Sequence, residues 1–365
     1  MSIIIYNFET YLPPNERNQD EISSWLAKIQ SIITPELFDE RLIQKFSVKK
    51  EKIAKRSFFN NDVGDFEFKN KDIFYKENQF SPRLGERSLF YQKTVDQIFE
   101  KFFADKTDPP EEILHVTCTG YTSPSAGQKI IPRNNWSEKT GITHLYHMGC
   151  YAAIPAIKVA KGMTDKNRID VVHTEICANH FDIKAQTAEQ TVVQTLFADG
   201  AIKYSLNPNY QDDQTTTGIK VITMKEVIIP ESEDAMTWAF GDNNLEMTLH
   251  RTVPSLIKKS LKPYVEDLFK KSSMDFNKDK DNVIFAIHPG GPKIIDQIME
   301  LLELREEQVR FSKEVLQERG NMSSATLPHM WKKIIEDQNV VRGTKVFSVA
   351  FGPGLTIAGF IGEKR

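Results

Sequence analysis

His147-Met148-Gly149-Cys150-Tyr151-Ala152-Ala153-Ile154-Pro155-Ala156 is the stretch on which the fold turns. A cysteine follows a glycine and opens a run of small and apolar residues that continues to Ala160. Small residues suit a helix packed closely on every side, and proline is tolerated only in a helix's first turns. The pattern places Cys150 at a helix N-terminus, where unpaired N–H groups favour thiolate over thiol. Upstream, Ile113 to Thr119 (ILHVTCT) reads as a buried strand that ends in a polar loop with Pro124. Downstream, Ile169 to Glu175 (IDVVHTE) reads as a second.

The same order returns further along. Val283 to Ile287 (VIFAI) is a buried strand that ends in His288-Pro289-Gly290-Gly291-Pro292. A helix opens near Asn321 (NMSSATLPHMWKKIIED), and the strand Lys345 to Ala350 (KVFSVA) follows. Strand, loop, helix opened by a polar residue, strand: an internal duplication is the economical reading. Packed by pseudo-symmetry, Cys150 and Asn321 occupy equivalent helix N-termini facing the junction between the halves. His288 ends its strand where open α/β sheets place functional groups. The pattern alone suggests one site with a cysteine, a histidine and an asparagine.

Around this frame, MSIIIYNFETYLPP lacks a basic leader segment and reads as a strand. Asn18 to Ile33 and Ser88 to Phe103 read as helices. Lys45 to Arg56 (KFSVKKEKIAKR) is a basic cluster expected on a helix, either a solvated face or a docking site for something phosphorylated or acidic. Asn60 to Pro82 reads as a long surface loop, Ala201 to Gly218 as an irregular link, and Glu226 to Asn244 as a segment able to line a cavity. Lys270 to Asp281 reads as a solvated turn. Val346 to Gly362 is apolar but broken by Gly352, Pro353, Gly354 and Gly359, a poor membrane span and a good pair of buried strands.

The chain of 365 residues is long enough for a large core in two domains or one large α/β unit. With 47 basic and 50 acidic residues its net charge is −3, which gives no electrostatic case for nucleic acid as a partner. Its three cysteines, Cys118, Cys150 and Cys177, form no disulfide framework, so a cytoplasmic location is expected.

GCYAAIPAIKVA around Cys150, HPGGPKII after Ile287, NMSSAT from Asn321 and AFGPGLTI near the end resemble type III polyketide synthases, the chalcone-synthase-like members of the thiolase superfamily. HTEI before Cys177 and LFADGA at Leu196 to Ala201 fit in the same order. The resemblance runs from about Ile113 to Ile357. It implies an α/β, thiolase-like five-layer αβαβα fold of two duplicated halves, residues 1–220 with the nucleophile and 221–365 with the histidine and asparagine. It also implies a homodimer without a bound cofactor or metal, acting on acyl and malonyl thioesters.

In that frame Cys150 attacks an acyl thioester and carries the chain as a covalent thioester. His288 stabilises the thiolate and, with Asn321, donates to the malonyl thioester oxygen where decarboxylation leaves an enolate. The resemblance further implies that Thr119, Ser123, Glu175, Cys177 and His180 line the product cavity. Met247 falls near a gatekeeper position, and Gly352, Pro353 and Gly354 match a cyclisation loop. CTGYTSPSA departs from the plant pattern around Thr119 and Ser123, which leaves product type open. Lys49, Lys50, Lys52, Lys55 and Arg56 sit near the basic residues that hold coenzyme A in relatives, and an acyl carrier protein would suit them equally.

The leading expectation is a synthase that extends an acyl starter with malonyl units and releases a cyclised pyrone or resorcinol. A stand-alone ketosynthase joining two β-ketoacyl chains would use the same three residues without decarboxylation. The Asn321 donor and the two halves argue against a Cys-His acyl hydrolase or transferase, which usually needs a carboxylate or amide to orient its histidine. A non-catalytic scaffold is disfavoured because all three polar residues are present.

Overall fold

In the computed structural model, residues 2–69, 71–76, 79–80, 83–104, 107–213 and 215–365 are described; Gln214 and parts of the Asn60 to Pro82 segment lie outside them. The chain opens with β1 (Ser2–Tyr11), β2 (Asn15–Asn18), α1 (Gln19–Ile33), α2 (Glu40–Phe46) and β3 (Lys55–Phe58). The short strands β4 (Tyr75–Lys76) and β5 (Gln79–Phe80) precede α3 (Leu84–Phe103). Then come β6 (Glu112–Thr117), α4 (Ala126–Arg133), β7 (Gly141–Tyr146), α5 (Ala153–Gly162), β8 (Ile169–Ile176), α6 (Ala188–Leu196) and β9 (Asp199–Tyr210). The second half starts with β10 (Ile219–Ile228), the hairpin β11 (Met236–Phe240) and β12 (Leu245–Leu249), and α7 (Val253–Lys271). It continues through α8 (Phe276–Asp279), β13 (Val283–Ile287), α9 (Ile294–Leu302), α10 (Glu306–Arg319), α11 (Thr326–Glu336), β14 (Lys345–Gly352) and β15 (Thr356–Lys364).

Strand pairing repeats between the halves. β6 runs parallel to β8, β8 antiparallel to β9, and β9 antiparallel to β1. β13 runs parallel to β14, β14 antiparallel to β15, and β15 antiparallel to β10. The antiparallel pair β1–β10 joins the two sets into one nine-stranded sheet in the order β13-β14-β15-β10-β1-β9-β8-β6-β7.

Alternation along the strands builds the layers, because successive side chains leave opposite faces. Ile113, Val172 and Ala201 pack outward against Val95, Ile98 and Phe99 of α3. Leu114, Val171 and Ile202 face inward to a core shared with α5 and α11. In the second half Phe285, Phe347 and Val349 face α7, while Ala286, Val346 and Ala350 face inward. Both faces are covered, which is why these strands read as continuous apolar runs. α5 meets β6 and β9 on one side and β15 on the other, so it lies between the two half-sheets. Its Ala153, Ala156 and Ala160 are wholly buried, and their small size lets Trp331 and Met330 of α11 share that layer. This is the expected α/β thiolase-like architecture.

Three local expectations are corrected. The basic stretch Lys45 to Arg56 is not a helix: α2 ends at Phe46, turns follow, and Lys55 and Arg56 begin β3. Most of the supposed link from Ala201 to Gly218 is the central strand β9. Its Lys203 is wholly buried and still charged-paired, with Glu9 at 2.8 Å and Asp170 at 3.9 Å, so a polar residue sits inside the sheet. Cys150 stands in a turn three residues ahead of α5 rather than at its first residue. Gly149 holds φ of +78°, and a Cβ there would fall 2.7 Å from Pro353 Cδ, so glycine is required before the cysteine. Among the described residues, no helix is long and apolar enough to cross a membrane.

Candidate active site

The turn before α5 and the turn before α11 meet at Ser323. Cys150 Sγ lies 3.6 Å from Ser323 Oγ, and both residues are buried. Asn321, two positions earlier, accepts from Ser323 N at 2.9 Å through Oδ1. Its Nδ2 donates to Pro289 O at 3.1 Å, which ties the loop after His288 to the start of α11. Asn321 N donates to Leu196 O and Asn321 O accepts from Ala198 N, so its backbone is pinned to the other half. The two helix starts thus come together, with Ser323 as the meeting point. Pattern reading saw Ser323 only as part of a helix opening.

His288 is wholly buried, and among the described residues neither ring nitrogen has a hydrogen-bond partner. Among the described residues no hydrogen bond joins Cys150 to His288 or to Asn321. Burial holds the imidazole near a pKa of about 3, so it is neutral in this state. Burial also pushes the Cys150 thiol up to about 12, outweighing the opposing effect of Ser323. Burial therefore opposes the thiolate that the nearby helix start would favour.

Glu175 is the carboxyl nearest this chemistry. It lies wholly buried on β8 and accepts from Cys118 N at 3.1 Å, Cys118 Sγ at 3.4 Å and Thr119 Oγ1 at 3.2 Å, all on Oε2. Ser324 Oγ donates to its Oε1. Burial raises its pKa to about 6 despite these donors. Cys118 Sγ also lies 3.1 Å from Ser323 Oγ, so Ser323 stands between two cysteines.

A cavity of about 230 Å³ opens from Cys150 and Ser323 and is lined on one side by the β11–β12 hairpin, including Met236, Trp238 and Met247. Of the predicted lining, Thr119, Cys177, His180, Met247 and Pro353 border it. Glu175, Gly352 and Gly354 are not among its walls; Glu175 stands behind Cys118 and Thr119. His180 braces the wall: Nε2 donates to Thr119 O at 2.7 Å and Nδ1 accepts from Leu245 N at 3.1 Å. Trp238, unforeseen in the sequence, donates to Cys118 O at 2.6 Å and so latches the hairpin to the end of β6.

Other expected site residues lie away from the cavity. Ser123 is exposed in the loop after β6 and does not reach the cavity. Arg56 is wholly buried. Its guanidinium donates to Gln19 Oε1 at 3.0 Å, to Gln194 O at 3.0 Å and to Phe197 O, so no ligand can reach it. It caps the carbonyl end of α6, where a cation complements the helix dipole. Lys50, Lys52 and Lys55 pair at the surface with Asp20 (3.2 Å), Asp296 (2.5 Å) and Glu16 (3.0 Å), and Lys49 donates to Gln44 O. None of the five lines the cavity.

Residues 220–363 match the family of chalcone and stilbene synthases, C-terminal domain. A chalcone synthase candidate of Bacillus subtilis is 25% identical over 369 residues, 96% of either chain. Two solved structures share the fold. The C-terminal type III polyketide synthase domain of Steely1 from Dictyostelium superposes with a TM-score of 0.83 at 21% identity, over 100% of this chain and 99% of that one. The 1,3,6,8-tetrahydroxynaphthalene synthase of Streptomyces coelicolor gives 0.81 at 20% identity, over 99% of both. The molecule is a condensing enzyme, a transferase of the thiolase-like fold. Within that class it is type III polyketide synthase-like, and its C-terminal part is a chalcone and stilbene synthase C-terminal domain.

Proposed function

We propose that the protein loads an acyl starter on Cys150, extends it by decarboxylative Claisen condensation with a malonyl thioester and releases a cyclised pyrone or resorcinol. The observation that carries this is the meeting of Cys150 with the Asn321–Ser323 turn at the head of a cavity. Thiol attack on the acyl carbon expels the donor thiol and divides one difficult transfer into two. His288, with two unpartnered ring nitrogens, is suited to donate to the thioester oxygen of the extender. Asn321 holds one amide hydrogen on Pro289 O and keeps the other for the same oxygen. Loss of carbon dioxide supplies the carbanion, so these residues need only hold the enolate. Either coenzyme A or a carrier protein would deliver the acyl group in the cytoplasm, with Lys49, Lys50, Lys52 and Lys55 as surface contacts.

Two related halves, divided at 220/221, are expected to act as one unit within a homodimer. Support for the dimer comes from β7, one of the two edge strands, whose outer edge is unpaired among the described residues and whose Leu145 and Tyr146 are only half-buried. The purified chain, given acyl thioesters of graded length and malonyl thioester, should yield carbon dioxide and cyclised products by mass spectrometry. Cys150→Ala should abolish acyl adducts in intact-protein mass. Free acid as the sole product would establish a hydrolase instead, and coupled β-ketoacyl chains without carbon dioxide would establish the ketosynthase.

A further inference from the structure

The wall of the Cys150 cavity runs directly into a basic surface. Glu246 and Thr248 of β12 border the cavity and are themselves exposed, so the cavity meets solvent at that strand. Arg251 follows Thr248 within about 11 Å of chain, and α7 begins at Val253. From Arg251 to Pro263 (RTVPSLIKKSLKP) the chain carries four cations and no carboxylate. Val253, Ile257 and Leu261 face the core, which turns Lys258, Lys259 and Lys262 outward on the opposite side of the helix. Lys293, ahead of α9, is exposed as well, and α9 packs on α7. Among the described residues none of these five cations forms an ion pair, whereas Lys50, Lys52 and Lys55 are all paired. Carboxylates mark the limits of the surface. Glu231, Glu233 and Asp234 are exposed on the loop before β11, and His250 N donates to Ala235 O at 2.9 Å, which sets that loop beside Arg251. Glu266 stands one turn beyond Lys262.

We propose that this face of α7 docks an acidic carrier protein, which delivers the acyl starter to Cys150 on its phosphopantetheine arm. A free nucleotide thioester is held best where donors converge in a concavity. Lys258, Lys259 and Lys262 instead spread over a convex helix face, and none of the five cations borders the Cys150 cavity. Such a face suits an acidic helix laid across it, with several charges meeting several at once. The carboxylates of the loop before β11 repel the same partner and so fix which way it lies. The arm enters past Glu246 and Thr248. Cys150 Sγ bonds to the acyl carbon as the C–S bond to the arm breaks, and the Cys150 hydrogen ends on the released arm thiol. The emptied carrier then has to leave, and exposed ion pairs of modest strength, screened by salt, permit that. The proposal rests on Cys150 being the acyl acceptor and deepens that reading by naming the donor.

The test compares two donors of one chain: hexanoyl or dodecanoyl on an acidic acyl carrier protein, and the same group on coenzyme A. Each is followed as adduct formation on Cys150 by intact-protein mass. With Lys258→Glu, Lys259→Glu and Lys262→Glu combined, the second-order rate of loading from carrier protein should fall roughly 30-fold, from attraction lost and repulsion gained. Loading from coenzyme A should stay within about threefold, which also reports that the variant is folded. Added salt should depress the carrier-protein rate far more in the parent than in the variant. Equal loss with both donors overturns the proposal, as does unchanged carrier-protein loading in the variant. So does a parent that loads from coenzyme A and not from carrier protein. Binding of the parent, but not the variant, to phosphatidylglycerol vesicles with carrier-protein loading equal in both would assign the face to a lipid surface and overturn it too. An adduct that persists in Cys150→Ala with either donor overturns the assignment of the nucleophile instead, so the two failures are told apart.

Discussion

At the scale of single residues, burial decides more than charge. Burial disfavours the charged forms of both Cys150 and His288. Arg56 makes the same point in reverse. A motif reading places it in a basic cluster, whereas its guanidinium is a buried post between Gln19, α6 and Gly320, whose missing Cβ leaves room for Arg56 Cδ. Arg56→Met keeps the length but leaves two α6 carbonyls unpaired in the core. It should cost about 3 kcal/mol in urea unfolding, with KM for the acyl donor unchanged in the surviving folded protein. A raised KM with unaltered stability would return Arg56 to ligand binding. Cys150, His288 and Asn321 were legible because each stands at a break between strand and helix. Ser323 and Cys118 were not, because their roles exist only where one turn touches the other.

At the scale of elements, the β11–β12 hairpin sets the size of the cavity. Its strands pair Met236 with Leu249 and Trp238 with Met247, and Thr237 and Thr248 are joined by a hydroxyl contact of 2.6 Å. Trp238 latches one end to Cys118 O, and His147 Nε2, 2.7 Å from Trp238 O, latches it again beside the nucleophile. Met247→Trp adds bulk to a space of only about 230 Å³, and overpacking there should exclude long chains. Product mass spectra should shift to shorter starters and fewer extensions; an unaltered product distribution would remove Met247 from the cavity's control. Sequence reading marked Glu226 to Asn244 as able to line a cavity but did not foresee a hairpin. β9 escaped it for a related reason. Lys203, Ser205 and Asn207 look like loop residues until Glu9 and Asp170 are brought alongside them.

For the whole molecule, buried titratable groups set the response to acid. Five histidines, at 115, 173, 180, 288 and 329, are held near a pKa of about 3 by burial. The unfolded chain would protonate them near 6.5, so their contribution is full above that pH and is lost as pH falls. Asp62, Glu175 and Asp199 act oppositely: raised to about 6, 6 and 7, they favour the fold below those values and lose that contribution as pH rises. Between pH 4.5 and 6 the unfolded state gains up to five protons on histidine against three on carboxyls in the fold, an excess of two. Stability should therefore fall on acidification, and the urea midpoint should be lower at pH 5 than at pH 7. A higher midpoint at pH 5 would mean the carboxyls dominate.

Chain order and local pattern by themselves gave the α/β plan, the strands β6, β8, β13 and β14, and the placing of His288 after β13 and of Cys150 and Asn321 just ahead of helices. Those features depend on apolar periodicity and on residues adjacent in sequence, which a linear reading contains. Only the tertiary structure decided that the two helix starts meet through Ser323 and that Glu175 is reached through Cys118. It alone decided that Arg56 is a post and that β9 is a central strand. Each of those facts depends on groups far apart in the chain sharing a buried space, where burial reverses the charge preference a residue shows alone.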